Sequence, residues 1–316
     1  MSLFKTFLIC LFFSCTVISC IDDDAGQIID NAPTVFEIIE NSDEHTILEQ
    51  ALIDAGLVEV LNSGVFTVFA PTDDAFNTID LTGLTDDDIR NILLNHVITG
   101  NVTSTDLANA YYKTNAIETY SGENNQIDVF INVDGGILLN GISTVSLEDL
   151  AASNGTVHIV DVVVAIPNLA MLAEANPKLS NLVAALVQEN LLQTLELDAS
   201  TPPAPLTLFA PDDDGFQNFL DEDDDDGFET IDDILNFPQL DEVLSYHVLS
   251  GAVRENQIED DDMFSTLQGE NIKFTTVDTL TVTDQNNRVI PVKTTDITGS
   301  NGVIHVLENI LLPTIP

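Results

Sequence analysis

The sequence predicts a mixed fold of helices and strands that occurs twice in tandem. Two observations support this prediction. The segment 66–76, Phe-Thr-Val-Phe-Ala-Pro-Thr-Asp-Asp-Ala-Phe, returns 140 positions later at 206–216, and the segment 153–161 returns 147 positions later at 300–308. Each repeat is therefore about 140 residues long, an ordinary domain size that is too long for a solenoid repeat.

Composition narrows the possible classes of protein. The chain has 316 residues, with 53 Asp plus Glu against 8 Lys plus Arg and a formal net charge of −45. Because 44% of the residues are hydrophobic and the mean hydropathy is +0.17, the chain is not an acidic disordered tail. Nucleic-acid binding is excluded, since neutralising a phosphate backbone needs clustered Lys and Arg. The electrostatic field of this net negative charge repels anionic lipid and attracts cations.

Apolar spacing predicts a helix ahead of the first repeated segment in each copy. In the first copy, Asn41 and Glu44 resemble a capping box. The apolar stripe that follows consists of Leu48, Ala51, Leu52 and Ala55. In the second copy, Asn176 followed by Pro177 is a suitable pair for the N-cap and first helical position. Both helices lead to the Phe-Ala-Pro segment, whose alternating apolar residues predict a strand that ends at proline.

A second helix is predicted after each Phe-Ala-Pro segment. Thr85 and Asp88 form a capping-box pattern, and Gly100 is placed to end the helix. The buried stripe of the first copy is Ile89, Ile92, Leu93, His96 and Val97, and that of the second is Leu240, Val243, Leu244, His247 and Val248. A histidine on a buried stripe is more often a hydrogen-bonded core imidazole than a metal ligand or catalytic group.

The rest of each copy is rich in predicted strands. The segment 127–139, interrupted by Asp-Gly-Gly at 134–136, predicts a hairpin, and 272–292 with a turn near 285–288 predicts its counterpart. In the closing strands, His158 and His305 each follow a Ser-Asn-Gly turn. We expect a strand histidine paired to a loop carbonyl at both positions, rather than a metal ligand.

These blocks, in this order and duplicated, resemble the fasciclin (FAS1) domain family. The matching residues are Phe69, Pro71, Phe76, His96, Asn154, Gly155, His158, Phe209, Pro211, Phe216, Tyr246, His247, Asn301, Gly302 and His305. The second copy departs from the pattern at Asp212 and Gly215, and the first has Asn95 where the family has tyrosine. The resemblance implies an α+β fold, a wedge or sandwich of β-strands flanked by helices, and adhesion or matrix binding rather than catalysis.

The N-terminus resembles a bacterial lipoprotein signal. Lys5 precedes a short apolar run, and Cys20 follows Val-Ile-Ser, which resembles a lipobox. We therefore predict a signal peptide at 1–19, lipid on Cys20, an acidic tether at 20–32, and domains at 33–167 and 168–316. A plain secretory signal with a stray cysteine is the alternative. The Asp run at 22–24 resembles an acidic surface-export signal, or is a solvated tether.

The sequence holds one candidate ligand-binding segment and no catalytic motif. The sequence contains no Gly-x-Ser-x-Gly nucleophile elbow, no His-Glu-x-x-His zinc motif, no Gly-rich phosphate loop and no Cys-x-x-Cys. We therefore predict that the protein is not an enzyme. The second copy has extra residues around 221–227, where an imperfect calcium-loop pattern runs through Glu222, Asp224, Asp226 and Asp233. The alternative is a solvated acidic loop. No cofactor is predicted apart from Ca²⁺ in this loop.

The sequence thus predicts a lipid-anchored, non-enzymatic adhesion protein on the surface of an outer membrane. Its expected partner is an extracellular matrix polymer, a glycan or a surface protein, and it contacts the membrane through the lipid alone. The alternative is an accessory glycan-binding lipoprotein of a polysaccharide-uptake system. That role favours aromatic platforms, yet the sequence has no Trp and only four Tyr.

Overall fold

Helices precede and flank a strongly curved sheet in each repeat. The computed structural model describes residues 32–222 and 227–314. The predicted signal peptide, Cys20 and nearly all of the predicted tether lie outside these residues. The chain from Ala32 onward forms one compact unit. None of the helices in the described ranges has the length and apolar character needed to cross a bilayer.

In the first repeat the strands close into a barrel. The helices are α1 (Val35–Glu40), α2 (Thr46–Asp54), α3 (Val58–Ser63), α4 (Asp73–Phe76) and α5 (Asp86–Leu94). The strands are β1 (Phe66–Pro71), β2 (Val97–Thr99), β3 (Ala110–Ile117), β4 (Gln126–Asn132), β5 (Leu138–Leu139), β6 (Ser143–Ala152) and β7 (Gly155–Val160). Neighbours in sequence pair antiparallel, and β7 returns to pair parallel with β1.

The second repeat follows the same order of strands. Its helices are α6 (Leu169–Ala175), α7 (Ser180–Gln188), α8 (Leu192–Leu195), α9 (Asp213–Leu220), α10 (Ile231–Leu235) and α11 (Leu240–Tyr246), with 3₁₀ turns at Pro177–Leu179 and Glu255–Gln257. Its strands are β8 (Leu206–Pro211), β9 (Val248–Ser250), β10 (Met263–Ser265), β11 (Asn271–Thr275), β12 (Thr281–Thr283), β13 (Val289–Gly299) and β14 (Gly302–Leu307). The ends of this sheet, β9 and β10, are linked by a single bridge between Leu249 and Thr266.

Each repeat has two apolar cores, one on either side of its sheet. Val68 and Ala70 of β1 pack with the helices, whereas Phe69 packs inside the barrel. The second repeat divides Leu208, Ala210 and Phe209 in the same way. Because both faces of β1 and β8 are covered, these strands are apolar in nearly continuous runs.

The structure confirms several predicted caps and corrects others. Thr85 and Asp88 form the predicted capping box, and Asn176 accepts a hydrogen bond from the Lys178 N–H. The predicted box at Asn41 and Glu44 is wrong, because Asn41 caps the C-terminus of α1 and α2 begins after His45.

Two predicted boundaries also change. The helix predicted to run to Gly100 ends at Leu94, because β2 already begins at Val97. The segment 126–139 forms the predicted hairpin of β4 and β5. Its counterpart in the second repeat contains three strands instead of two, since an additional turn separates β11 from β12.

Candidate functional site

The helix-end histidines join each helix layer to the end of its own repeat. The Val164 N–H donates to His96 Nε2 at 2.8 Å, so this nitrogen carries no proton. His96 Nδ1–H then donates to the Ile92 carbonyl at 2.8 Å. His247 has equivalent backbone bonds in the second repeat. Burial lowers the pKa of both imidazoles to about 4. Both are therefore neutral structural links near pH 7.

The strand histidines use the opposite ring nitrogen as donor. The Asp149 N–H donates to His158 Nδ1 at 3.2 Å, and His158 Nε2–H donates to the Val102 carbonyl at 3.1 Å. The ring stacks on Phe69 with centroids 5.3 Å apart. His305 repeats this arrangement, and burial lowers the pKa of both rings. The predicted pairing to a loop carbonyl is confirmed.

The asparagine of each Asn-Gly pair holds a helix against the sheet. Asn154 Oδ1 accepts from the Val35 N–H at 2.8 Å, and its Nδ2 donates to the carbonyls of Leu61 and Gly64 at 2.7 and 3.1 Å. Asn301 makes the corresponding three bonds. One side chain thus satisfies three backbone groups near the start of its repeat, which explains its place in the pattern.

The glycine of each pair permits close approach of two parallel strands. Gly155 and Gly302 have φ of +148° and +153°. A Cβ added at these positions would lie 1.8 Å from the Phe66 carbonyl oxygen and 2.1 Å from that of Leu206. No side chain fits there, so glycine is required for β7 to pair with β1 and β14 with β8.

The other motif residues belong to the scaffold. Phe69, Pro71, Phe76, Phe209, Pro211, Phe216 and Tyr246 are all buried. The Tyr246 hydroxyl donates to the Asn271 carbonyl at 2.9 Å. In the first repeat Asn95 stands before the histidine and instead donates to the carbonyls of Val164 and Ala165. The departure from the family pattern therefore changes a hydrogen-bond partner within the scaffold.

A second departure from the pattern creates an ion pair. Thr72 caps α4 through its hydroxyl, and Asp212 caps α9 through Oδ1, which accepts from the Gly215 N–H at 2.8 Å. Asp212 additionally accepts two bonds of 2.9 Å from Lys293. The substitution thus keeps the cap and adds a charge partner that the first repeat lacks.

Two residues of the predicted calcium loop have protein partners. Glu222 accepts from Arg288 at 2.8 Å and from Asn309 at 2.7 Å. Asp233 accepts from Thr230 in the capping box of α10. Asp224 and Asp226 lie outside the described residues. Within the part of the chain that the structure describes, no three His, Cys, Asp or Glu side chains converge as a metal site. Calcium binding therefore stays a prediction.

A polar junction joins the two repeats. The Lys113 ammonium pairs with Asp128 at 2.6 Å and donates to the Asp296 carbonyl at 2.8 Å. Asp128 Oδ2 also accepts from the Thr298 N–H at 2.6 Å, across the junction. Asp128 is buried, and burial raises the pKa of its carboxyl although Lys113 opposes the shift.

Two tyrosines of the first repeat extend the junction. The Tyr111 hydroxyl donates to the Leu172 carbonyl at 2.8 Å, and the Tyr120 hydroxyl donates to the Gly302 carbonyl at 3.0 Å. Arg254, itself buried, donates to both Tyr120 and Thr298. Lys113 and Arg254, two of only eight basic residues, therefore serve the contact between repeats. The sequence patterns did not reveal this junction.

Two grooves border the junction. The first, of about 570 Å³, is lined by Tyr120, Asn168 and Asp198 among others. The second, of about 440 Å³, is lined by residues that include Tyr111, Phe130, Lys178 and Lys293. Both volumes fall in the range of small-ligand sites.

Comparisons with known proteins agree with this architecture. The Fasciclin domain model matches residues 43–167 and 177–313. Human periostin is 26% identical over 266 residues, covering 81% of this chain and 29% of periostin. The transforming growth factor-beta-induced protein ig-h3 of Sus scrofa is 27% identical over 265 residues, covering 81% of this chain and 36% of that protein. The chain thus spans about a third of the length of these relatives.

A solved structure has the same fold. It is a FAS1 domain pair from the insect cell adhesion molecule fasciclin I, which superimposes with a TM-score of 0.53 at 19% identity and covers 83% of this chain and 95% of that one. Because the family model matches both repeats and the arrangement of sheet and helices is shared, the chain belongs to the Fasciclin domain family and carries two tandem FAS1 domains.

Proposed function

We propose that this chain is a non-enzymatic adhesion protein that binds an extracellular matrix polymer, a glycan or a surface protein. The observation that carries the proposal is the use of the motif side chains. Both ring nitrogens of each of the four motif histidines are hydrogen-bonded to backbone, so these groups serve the scaffold and leave binding to the surface. The relative of known structure is described as a cell adhesion molecule, which supports the same role.

We further propose that lipid on Cys20 holds the two domains at the outer-membrane surface, with 20–32 as a tether. Many copies on one surface raise the effective concentration of binding sites, which offsets weak single contacts. Cells that express the wild type, a Cys20→Ala variant, or no protein are compared for attachment to immobilised matrix polymers and to glycans. We expect cells that lack the protein to lose attachment. Cells that express Cys20→Ala should also lose attachment, and their protein should be found in the medium instead of on the cells.

The groove of about 440 Å³ supports the alternative, an accessory glycan-binding role, because it presents polar groups beside Tyr111 and Phe130. The same strains distinguish the two roles. Loss of attachment with unchanged growth on polysaccharides supports adhesion, whereas unchanged attachment with impaired growth overturns it in favour of uptake.

The predicted calcium loop is tested separately. If the loop binds Ca²⁺ in the folded protein, millimolar Ca²⁺ raises the melting temperature of the wild type, because ligand that binds only the folded state stabilises it. The variant Asp224→Asn/Asp226→Asn should lose this response. An unchanged melting temperature in the wild type would remove the calcium hypothesis.

A further inference from the structure

The junction covers one face of the sheet in the first repeat. Lys113 of β3 and Asp128 of β4 are paired neighbours on this face, and Tyr111 and Phe130 form the next pair. Their partners on the second repeat are α6 and the end of the hairpin of β13 and β14. Phe130 is 2% exposed and Asp128 is 3% exposed. This face is therefore an established protein interface.

The corresponding face of the second repeat has no cover among the described residues. Met263, Lys273, Thr283 and Val289 form one row across β10 to β13, and we call this row the tail face. Met263 is 60% exposed and Val289 is 61% exposed. The inward-facing neighbours Ile272, Phe274, Val282 and Ile290 fill the barrel core.

The tail face also differs in charge from the rest of the molecule. Where β10 to β13 pair with one another, their outward residues are Met263, Ser265, Asn271, Lys273, Thr275, Thr281, Thr283, Val289 and Pro291. None of these residues is acidic, in a chain with 53 Asp plus Glu, and Asp261 beside β10 pairs with Lys273. Exposed apolar side chains on a face without acidic residues are typical of an interaction surface.

The surface that the second repeat contributes to the junction also has a counterpart in the first repeat. Asp149 corresponds to Asp296, since both have positive φ and donate from backbone to the strand histidine of their repeat. Val35 and Leu169 begin the corresponding helices α1 and α6, and both donate to the Asn-Gly asparagine. The first repeat therefore carries its own version of the surface that, in the second repeat, contacts the first.

That version is open. We call its residues Ile38, Leu147, Leu150 and Ile159 the head groove. Leu147 is 50% exposed and the other three are half-buried. The counterparts of Ile38, Leu150 and Ile159 in the second repeat are Leu172, Ile297 and Val306, which are 0%, 2% and 7% exposed. The same positions are thus closed in the second repeat, where a neighbouring domain covers them, and accessible in the first, where no described residue does.

A small cavity borders the head groove. It has a volume of about 90 Å³ and is lined by Ile38, Leu150, Ile159 and His45. His45 is 2% exposed, its Nδ1 bonds to Ser42, and its ring also interacts with the Ala70 backbone. The apolar side chains of the groove thus leave space that a docked surface can fill.

We propose that copies of this chain associate head to tail, with the tail face of one copy covering the head groove of the next. The contact reuses the arrangement that already joins the two repeats within one chain. In this contact Lys273, which pairs with Asp261 of its own copy, takes the position that Asp128 has in the junction between the repeats. Because unlike surfaces meet, the contact extends into chains of copies unless it closes on itself.

Net charge sets the conditions for association. Each copy carries −45, so copies repel one another at low ionic strength. Salt screens this repulsion while leaving apolar contact intact. Head-to-tail association should therefore strengthen between about 0.05 and about 0.3 M NaCl, opposite to the behaviour of a contact held by surface ion pairs.

The test is sedimentation velocity on the mature chain with Cys20→Ser, from about 1 to about 100 µM at both salt concentrations. The wild-type surfaces should give mass that rises with concentration beyond that of a dimer. Met263→Asp removes the tail face and Leu147→Asp removes the head groove, and each should weaken association at least tenfold. Val187→Asp, at a 54% exposed position on α7 outside both surfaces, is the matched control and should associate normally.

Mixing the two variants provides the decisive measurement. The Met263→Asp copy keeps its head groove and the Leu147→Asp copy keeps its tail face, so an equimolar mixture should form dimers and nothing larger. Melting temperatures within a few degrees of the wild type establish that both variants fold. A monomer at every concentration, association that both variants leave unchanged, or a mixture that stays monomeric would overturn the proposal.

Discussion

The two repeats share one scaffold and differ on one face of the sheet. In both, two histidines, an asparagine and a glycine make the same backbone contacts at matching positions. On the outer sheet face, however, Lys113 and Asp128 join the neighbouring repeat, whereas the corresponding pair Met263 and Lys273 faces solvent. Buried side chains thus define the fold, while a few outward side chains decide what each copy contacts.

The largest expected loss of stability comes from substituting the glycines that both repeats share. We expect Gly155→Ala and Gly302→Ala each to lower the free energy of unfolding by about 4 kcal/mol or more, because the new Cβ meets a carbonyl oxygen. Gly136→Ala is the control, since its φ is +130° but nothing lies within 4 Å of the added atom. It should cost about 1–2 kcal/mol from backbone strain alone. Urea unfolding measures all three, and equal losses would contradict a steric cause.

The next largest loss of stability is expected at the junction between the repeats. Asp128→Ala leaves the Thr298 N–H without its acceptor and removes the carboxylate partner of Lys113, which keeps only its bonds to Asp296 and Thr298. It should cost about 3 kcal/mol, the lower end for a buried pair because Lys113 is half-exposed. Calorimetry should resolve two transitions in the variant where the wild type gives one, since the repeats lose their coupling.

The control for that experiment is the corresponding position in the second repeat. Lys273→Ala removes an exposed pair with Asp261 and should change stability by less than about 1 kcal/mol. Equal effects at Asp128 and Lys273 would mean that the junction does not couple the repeats.

A third prediction uses the helix-end histidines. Their pKa is about 4 in the folded protein and near 6.5 in the unfolded chain. Between these values the unfolded state binds more protons, so stability contributed by each imidazole is complete above pH 6.5 and is lost as pH falls toward 4. From pH 7 to pH 5 the loss is about 2 kcal/mol for each histidine.

The comparison of wild type with His247→Gln isolates this effect from the titration of the many carboxylates. The variant is less stable at pH 7, but its additional loss on going to pH 5 should be smaller by about 2 kcal/mol. Denaturant titrations at the two pH values measure the difference. Identical pH dependence in the two proteins would show that His247 does not resist protonation.

The smallest expected loss of stability comes from the residue that caps α9. Asp212→Thr gives the second repeat the residue that the first has at Thr72, keeping the cap but removing the ion pair with Lys293. We expect a loss of about 1 kcal/mol that shrinks at high salt. Asp212→Ala, which also removes the cap, should cost about 1 kcal/mol more. Equal costs for the two variants would assign the whole effect to the ion pair with Lys293 and none to the cap.

Local patterns predicted the scaffold because its signals lie within a few residues. Thr85 and Asp88 are three residues apart and form their box without help from the rest of the chain. The strand histidines follow from alternation beside an Asn-Gly turn. The capping pattern at Asn41 and Glu44 failed because α1 ends there, and the true box at Thr34 and Glu37 was missed.

The junction was not predictable by the same reasoning. Lys113 and Asp296 are 183 positions apart, and their contact depends on how two finished domains pack. One signal was available in the sequence: basic residues are rare, so Lys113 and Arg254 were candidates for positions where a positive charge is needed. The head groove and the tail face became recognisable only by comparing equivalent positions of the two repeats in three dimensions.

The parallel pairing of the first and last strand of each repeat has a consequence for synthesis. β1 begins at residue 66 and its partner β7 begins at residue 155, and β8 at 206 waits for β14 at 302 in the same way. A chain that emerges from the ribosome with its N-terminus first cannot complete either sheet until nearly the whole repeat is available. Each domain therefore finishes folding only when its last strand emerges, and truncation by even one strand leaves the first strand without its parallel neighbour.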